Sequence, residues 1–203
     1  EEALLKSREI HIVPVVNPVG AEFDISGTNY KMWRKNRRDN GNNTYGVDLN
    51  RNYGYGWGTG GSSKNPNSDT YMGTAPFCEP ETLAMKTYIE SKQNLNILLS
   101  YHTFSELILY PWGGQTSPIA NQRDFNVHKT MAETMAAWNG YDPMQAADLY
   151  VASGDTVDWA FGDQGIIGFT FELDPKNTFS TMVDPKAGFY PGQGIIQQVF
   201  NKN

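Results

Sequence analysis

The chain is 203 residues long, 39% apolar and 19% charged, with a formal net charge of −6 and a single cysteine, Cys78. That length accommodates one domain with a sizeable core, and the modest, dispersed charge leaves neither a nucleic-acid footprint nor a polybasic membrane patch. One cysteine excludes an internal disulfide and a cysteine-rich metal framework, and no run approaches the roughly 18 to 20 apolar residues of a membrane span.

Residues 1–8 read as the last turns of a helix without a start signal of its own. Residues 9–16 are β-rich and apolar and read as a strand, with His11 an ordinary strand residue and Asn17, Pro18 and Gly20 turning the chain. From residue 21 to 69 the composition shifts to Gly, Asn, Ser, Tyr and Trp with no sustained period, a long irregular stretch of the kind that is often functional. Acidic residues and an early proline mark a helix over 79–89. Short buried strands follow at 96–101, ending on His102, and at 107–110. Residues 124–139 carry Phe125, Met131, Met135 and Trp138 in one broad apolar stripe closed by Gly140, which predicts the strongest helix of the chain, with His128 as core or helix edge. A capped short helix is expected over 153–159. Alternation over 167–173 puts Ile167, Phe169 and Phe171 on one face of a strand and Thr170 with Glu172 on the other. Ile195, Ile196, Val199 and Phe200 fall at helical spacing just before the chain stops. Strands alternating with helices predict an α/β fold with a mixed central sheet and helices on both faces. Both ends read as cut, so residues 1–203 are expected to be the C-terminal portion of a single domain, incomplete and without a second domain.

Two places could carry chemistry. Asn50 and Arg51 sit together in a loop, residues 46–61, that offers glycines for close approach and aromatics for walls. A planar guanidinium beside an amide suits a carboxylate, although an Asn-Arg pair alone is more often a solvated turn. His102 and Glu172 each stand at the carboxyl end of an expected strand, the edge at which open α/β sheets bind ligands. Imidazole there could ligate a metal or carry protons. A carboxylate desolvated by Phe169 and Phe171 would have a raised pKa suited to a general base.

Five ordered stretches, Trp33-Arg-Lys, Val47-Asp-Leu-Asn-Arg-Asn-Tyr, the run from Ser100 to Trp112, Tyr150-Val-Ala-Ser-Gly and Phe169-Thr-Phe-Glu-Leu, resemble the zinc carboxypeptidases of the A and T type. The wording is most similar to the bacterial, secreted T type. The resemblance implies a secreted metallocarboxypeptidase that hydrolyses the last residue of a peptide. It implies His102 as a zinc ligand, Glu172 as general base toward metal-activated water, and Arg34 as the cation that polarises the scissile carbonyl. It implies Asn50, Arg51 and Tyr150 as the grip on the terminal carboxylate, Val157 as the pocket floor and Asp155 as an acidic pocket residue, hence a broad preference. Peptide or protein C-termini are then the partners, with neither nucleic acid nor membrane.

The family's other two zinc ligands come from a His-x-x-Glu motif, which these residues lack. This fragment is therefore expected to bind zinc weakly or not at all and to be inactive alone, with possible self-association through exposed sheet surface. The alternative is a non-catalytic module that binds peptide C-terminal carboxylates, against which the presence of both His102 and Glu172 speaks.

Overall fold

The computed structural model describes residues 2–203. In chain order the elements are α1 (Glu2–Ser7), α2 (Pro18–Ile25), the two-stranded ribbon β1 (Asp39–Gly41) and β2 (Thr44–Tyr45), α3 (Pro80–Glu90), β3 (Ile97–Ser105) and β4 (Leu107–Tyr110). There follow α4 (Gln122–Asn139), β5 (Asp142–Gln145), α5 (Ala146–Leu149), α6 (Thr156–Gly162), β6 (Ile167–Lys176), α7 (Phe179–Val183), α8 (Lys186–Phe189) and α9 (Ile196–Lys202). The main sheet runs β3-β6-β4-β5. It is mixed: β3 and β6 are parallel, β4 and β6 antiparallel, β4 and β5 parallel.

Alternation along β6 assigns its two faces to two cores. Phe169 and Phe171 join Ile108 and Tyr110 of β4 and Ala132 and Ala136 of α4 in one apolar cluster. On the opposite face, Leu98 of β3 packs with Trp159 and Ala160 of α6, Ile89 of α3 and Tyr53. The expected α/β fold with helices on both faces is thus present.

Helix α4 is capped by Asn121, whose side chain accepts from the backbone N–H of Arg123 and Asp124, and is closed by Gly140 at φ 75°, the left-handed stop that glycine tolerates. Its buried line is His128, Ala132, Ala136 and Asn139. Met131 and Met135 flank that line, and Trp138, expected in the apolar stripe, is 79% exposed.

Residues 9–16 do not form the expected strand. A strand requires a neighbour for its backbone groups, and a cavity of about 630 Å³ separates Ile12 to Asn17 from the free edge of β3. The apolar side chains consequently stay open, Ile12 at 81% exposure. His11 is beside Glu9 and the Tyr88 hydroxyl, 2.5 Å from its Nδ1. The turn expected at Asn17 and Pro18 is the start of α2: Asn17 is the N-cap, accepting from Gly20 N–H, and Pro18 occupies the first turn, where a missing N–H costs nothing. β3 runs on past His102, and its Ile97, Leu99 and Tyr101 side are exposed on a face that no described element covers, so the strand is not buried on both sides.

Candidate active site

Parallel pairing of β3 and β6 makes His102 and Glu172 register partners. Same-register residues on adjacent strands point to the same face, so imidazole and carboxylate stand side by side. His102 is inside its strand and not at the end. Its Nε2 is 3.1 Å from the Ser100 hydroxyl, two residues back on the same face. Burial pushes its pKa down to about 4, helped by Arg34 and Arg51 and opposed by Asp48, so the ring is neutral at neutral pH with a lone pair to offer.

Burial pushes Glu172 up to about 7, with Arg34 and Arg51 pulling the other way. The raised pKa matches the sequence expectation, but its cause differs. Phe169 and Phe171 alternate onto the other face and pack under α4, so the desolvation comes from the site's own side of the sheet.

Arg34 arrives from the irregular stretch and is held by Asp48, whose Oδ2 accepts from its Nε at 2.7 Å. Burial works against the Arg34 charge, yet Asp48 keeps its pKa above the ordinary value. Asp48 is itself 2% exposed, and its Oδ1 accepts from Asn50 N–H at 3.1 Å, capping the single 3-10 turn Leu49–Arg51. One buried carboxylate therefore joins Arg34 to the Asn50-Arg51 loop. Asp48 is absent from the residues the sequence singles out, although an Asp immediately before a turn is a capping signal.

Arg51 is 2% exposed and folded into its own loop. Nε donates to Gly61 carbonyl at 3.3 Å and Nη1 to Asn50 carbonyl at 2.7 Å, leaving Nη2 without a hydrogen bond among the described residues. Tyr150 closes this side, half exposed, its ring centroid 5.8 Å from the Arg51 guanidinium. Two glycines allow the Tyr150 loop to cross. A Cβ on Gly61 would lie 1.7 Å from Val151 carbonyl oxygen, and one on Gly154 2.6 Å from Arg51 carbonyl oxygen, both at positive φ.

The N-terminus of α6 closes the third side. Asp155 is its N-cap, with Oδ1 accepting from Val157 and Asp158 N–H at 2.9 Å each. Its Oδ2 is buried with no hydrogen-bond partner among the described residues. Burial and the neighbouring Asp158 push the Asp155 pKa up to about 8. Val157 is buried and packs against β6 at Gly168. The structure thus brings Arg34, Asp48, Asn50, His102 and Thr156 onto the wall of one cavity, with Arg51, Tyr150 and Glu172 adjoining it, while Asp155 and Val157 are primarily engaged in starting α6.

A catalytic zinc of the His and carboxylate kind needs three protein donors. Among the described residues no group of three His, Cys, Asp or Glu could hold a metal ion. His102 supplies one neutral donor, so the residues present do not by themselves fit the metal.

A family model described as zinc carboxypeptidase matches residues 1–203. Carboxypeptidase A5 of Macaca fascicularis is 40% identical over 176 residues, covering 84% of this chain and 40% of that protein. A zinc carboxypeptidase of Saccharothrix mutabilis subsp. capreolus is 36% identical over 208 residues, covering 98% of this chain and 46% of the relative. Among solved structures, bovine thrombin-activatable fibrinolysis inhibitor in complex with tick carboxypeptidase inhibitor superposes with a TM-score of 0.82 at 28% identity, over 93% of this chain and 63% of that one. Carboxypeptidase A of Helicoverpa armigera gives 0.70 at 33% identity, over 82% and 42%. The chain thus spans less than half the length of both sequence relatives.

Proposed function

The chain belongs to the zinc carboxypeptidase family, and from that premise we propose that the whole protein is a secreted exopeptidase that hydrolyses the C-terminal residue of peptides. One observation carries the reading: Glu172 and His102 are register partners, and the same two guanidinium groups, Arg34 and Arg51, act electrostatically on both. Two guanidinium groups in a largely buried site offer donors to a carboxylate, and a base with a pKa near neutrality stands next to them.

In this reading Asn50, the open side of Arg51 and the Tyr150 hydroxyl hold the substrate's terminal carboxylate. The grip sets the last amide bond against the His102-Glu172 pair. Arg34, fixed by Asp48, stabilises the negative charge that develops on the scissile carbonyl oxygen. Glu172 takes a proton from the attacking water and passes it to the leaving amine. Zinc is the metal for which the family is named, and the whole protein is expected to carry it with His102 as one ligand. The residues described do not complete that set, so no step is assigned to the metal.

Replacing Arg51 with Ala in the whole protein should lower kcat/KM by about 10- to 100-fold, since a charged hydrogen-bond donor is removed, with the loss mainly in KM. Unchanged KM would contradict the grip. Across a panel of apolar, aromatic and basic terminal residues, Val157 and Asp155 should give broad turnover, and an arginine-only profile would contradict that. For residues 1–203 alone, calorimetry should find no tight stoichiometric zinc binding and assays no peptidase activity. A stoichiometric high-affinity isotherm would overturn the reading that the ligand set is incomplete.

A further inference from the structure

An asparagine amide can grip a carboxylate only with its NH2 side, so something has to decide which way the Asn50 amide faces. Its Oδ1 accepts two hydrogen bonds from one residue 106 positions away, Thr156: from the backbone N–H at 3.0 Å and from the hydroxyl at 3.0 Å. A backbone N–H can only donate, so the oxygen of the amide must face α6.

The arrangement follows from how α6 begins. The first N–H groups of a helix have no partner within it. Asp155 covers those of Val157 and Asp158 with one oxygen, and the N–H of Thr156 is left for Asn50. The buried Tyr53 hydroxyl, whose pKa burial lifts to about 12, is close enough to Thr156 to feel it and stays neutral, so it adds no charge beside the pair. The Asn50 backbone is pinned as well, its N–H to Asp48 and its C=O to Arg51. With Oδ1 held against α6, Nδ2 is turned away from the helix, and Asn50 lines the same cavity as Arg34 and His102.

We propose that Thr156 is a positioning residue for substrate binding: it locks the Asn50 amide with its NH2 toward the terminal carboxylate of the substrate. This rests on the carboxylate-grip reading above. Losing the hydroxyl leaves one donor to hold the amide, and a flipped amide would present its oxygen to a carboxylate.

The test uses the whole protein with peptides bearing a free C-terminus, and calorimetry with N-acetylphenylalanine and its carboxamide. Thr156→Val should raise KM by about 3- to 10-fold, the worth of one hydrogen bond, leave kcat within about twofold, and weaken the acid but not the amide by the same factor. Thr156→Ser should restore wild-type values, and Thr156→Val should add nothing in an Asn50→Ala background. Asn50→Asp, which keeps the acceptor facing Thr156 but turns the donor into an oxygen, should fold and lose preference for the acid, and it decides the matter if the valine variant does not fold. Equal effects of Val and Ser, a fall in kcat at constant KM, or an Asn50→Asp variant that still prefers the acid would overturn the proposal. A wild type that binds the acid over the amide without cleaving peptides would refute the peptidase reading alone, with Thr156 judged by affinities; one that binds neither would refute both.

Discussion

Glu172→Gln should lower kcat of the whole protein by about 10²- to 10⁴-fold, the usual worth of a positioned general base, and should at the same time make the metal-free fold more stable at pH 8. The two effects have one cause. Burial raises the Glu172 pKa from 4.5 to about 7, so the folded chain keeps a proton that the unfolded chain gives up near 4.5. The stability linked to that proton is fully present below pH 4.5, declines as pH rises and is gone above pH 7. Above that, the ionised carboxylate costs about 3 kcal/mol relative to its solvated state, even after Arg34 and Arg51 offset part of the desolvation. Glutamine carries no such cost. Denaturation at pH 5 and pH 8 checks the sign: the variant's advantage should be small at the first and large at the second. A variant less stable than the wild type at pH 8 would mean that the arginines outweigh burial.

Gly61→Ala should destabilise the protein by about 2–5 kcal/mol, combining the left-handed penalty with overpacking, and should abolish carboxylate binding in whatever fraction still folds. Gly61 has φ 65°, and its added Cβ would sit 1.7 Å from the Val151 carbonyl oxygen, a distance that only backbone movement can relieve. The loop that would move carries Tyr150 on one side and Ala152 and Ser153 on the other. Gly61 carbonyl also accepts from Arg51 Nε, so displacement there disturbs the guanidinium directly. Urea denaturation gives the stability change, and calorimetry with N-acetylphenylalanine gives the binding. A variant with wild-type stability would show that the two loops are not in the close contact described.

Elements marked by local signals are legible. The strand over 107–110, a short apolar run stopped at Pro111, matches β4, and α4 begins only two residues before its expected start, because its apolar stripe and the Gly140 stop are local signals. Two segments whose state depends on whether a distant partner lies beside them are not. Residues 9–16 have strand composition but no adjacent backbone to pair with, and β5, with Pro143 on the sheet edge, has the partner without the composition. Asn17-Pro18 suits a turn and a helix start alike, and here it caps α2. In the site, the five motifs name the candidate residues, and the register of β3 on β6 sets His102 and Glu172 side by side. What the motifs could not convey is which residues hold others: Asp48 on Arg34, and Thr156 on Asn50. Those contacts depend on how loops 14 and 106 residues apart in sequence meet, information that no local pattern contains.

A grip on a free peptide C-terminus that lets Glu172 serve hydrolysis of the last bond is tested most directly by giving the whole protein one peptide in two forms, with a free and with an amidated C-terminus, and measuring release of the last residue by mass spectrometry. Release from the free acid should be at least about 100-fold faster, the worth of charged hydrogen bonds to a carboxylate. Equal release from both forms would contradict it.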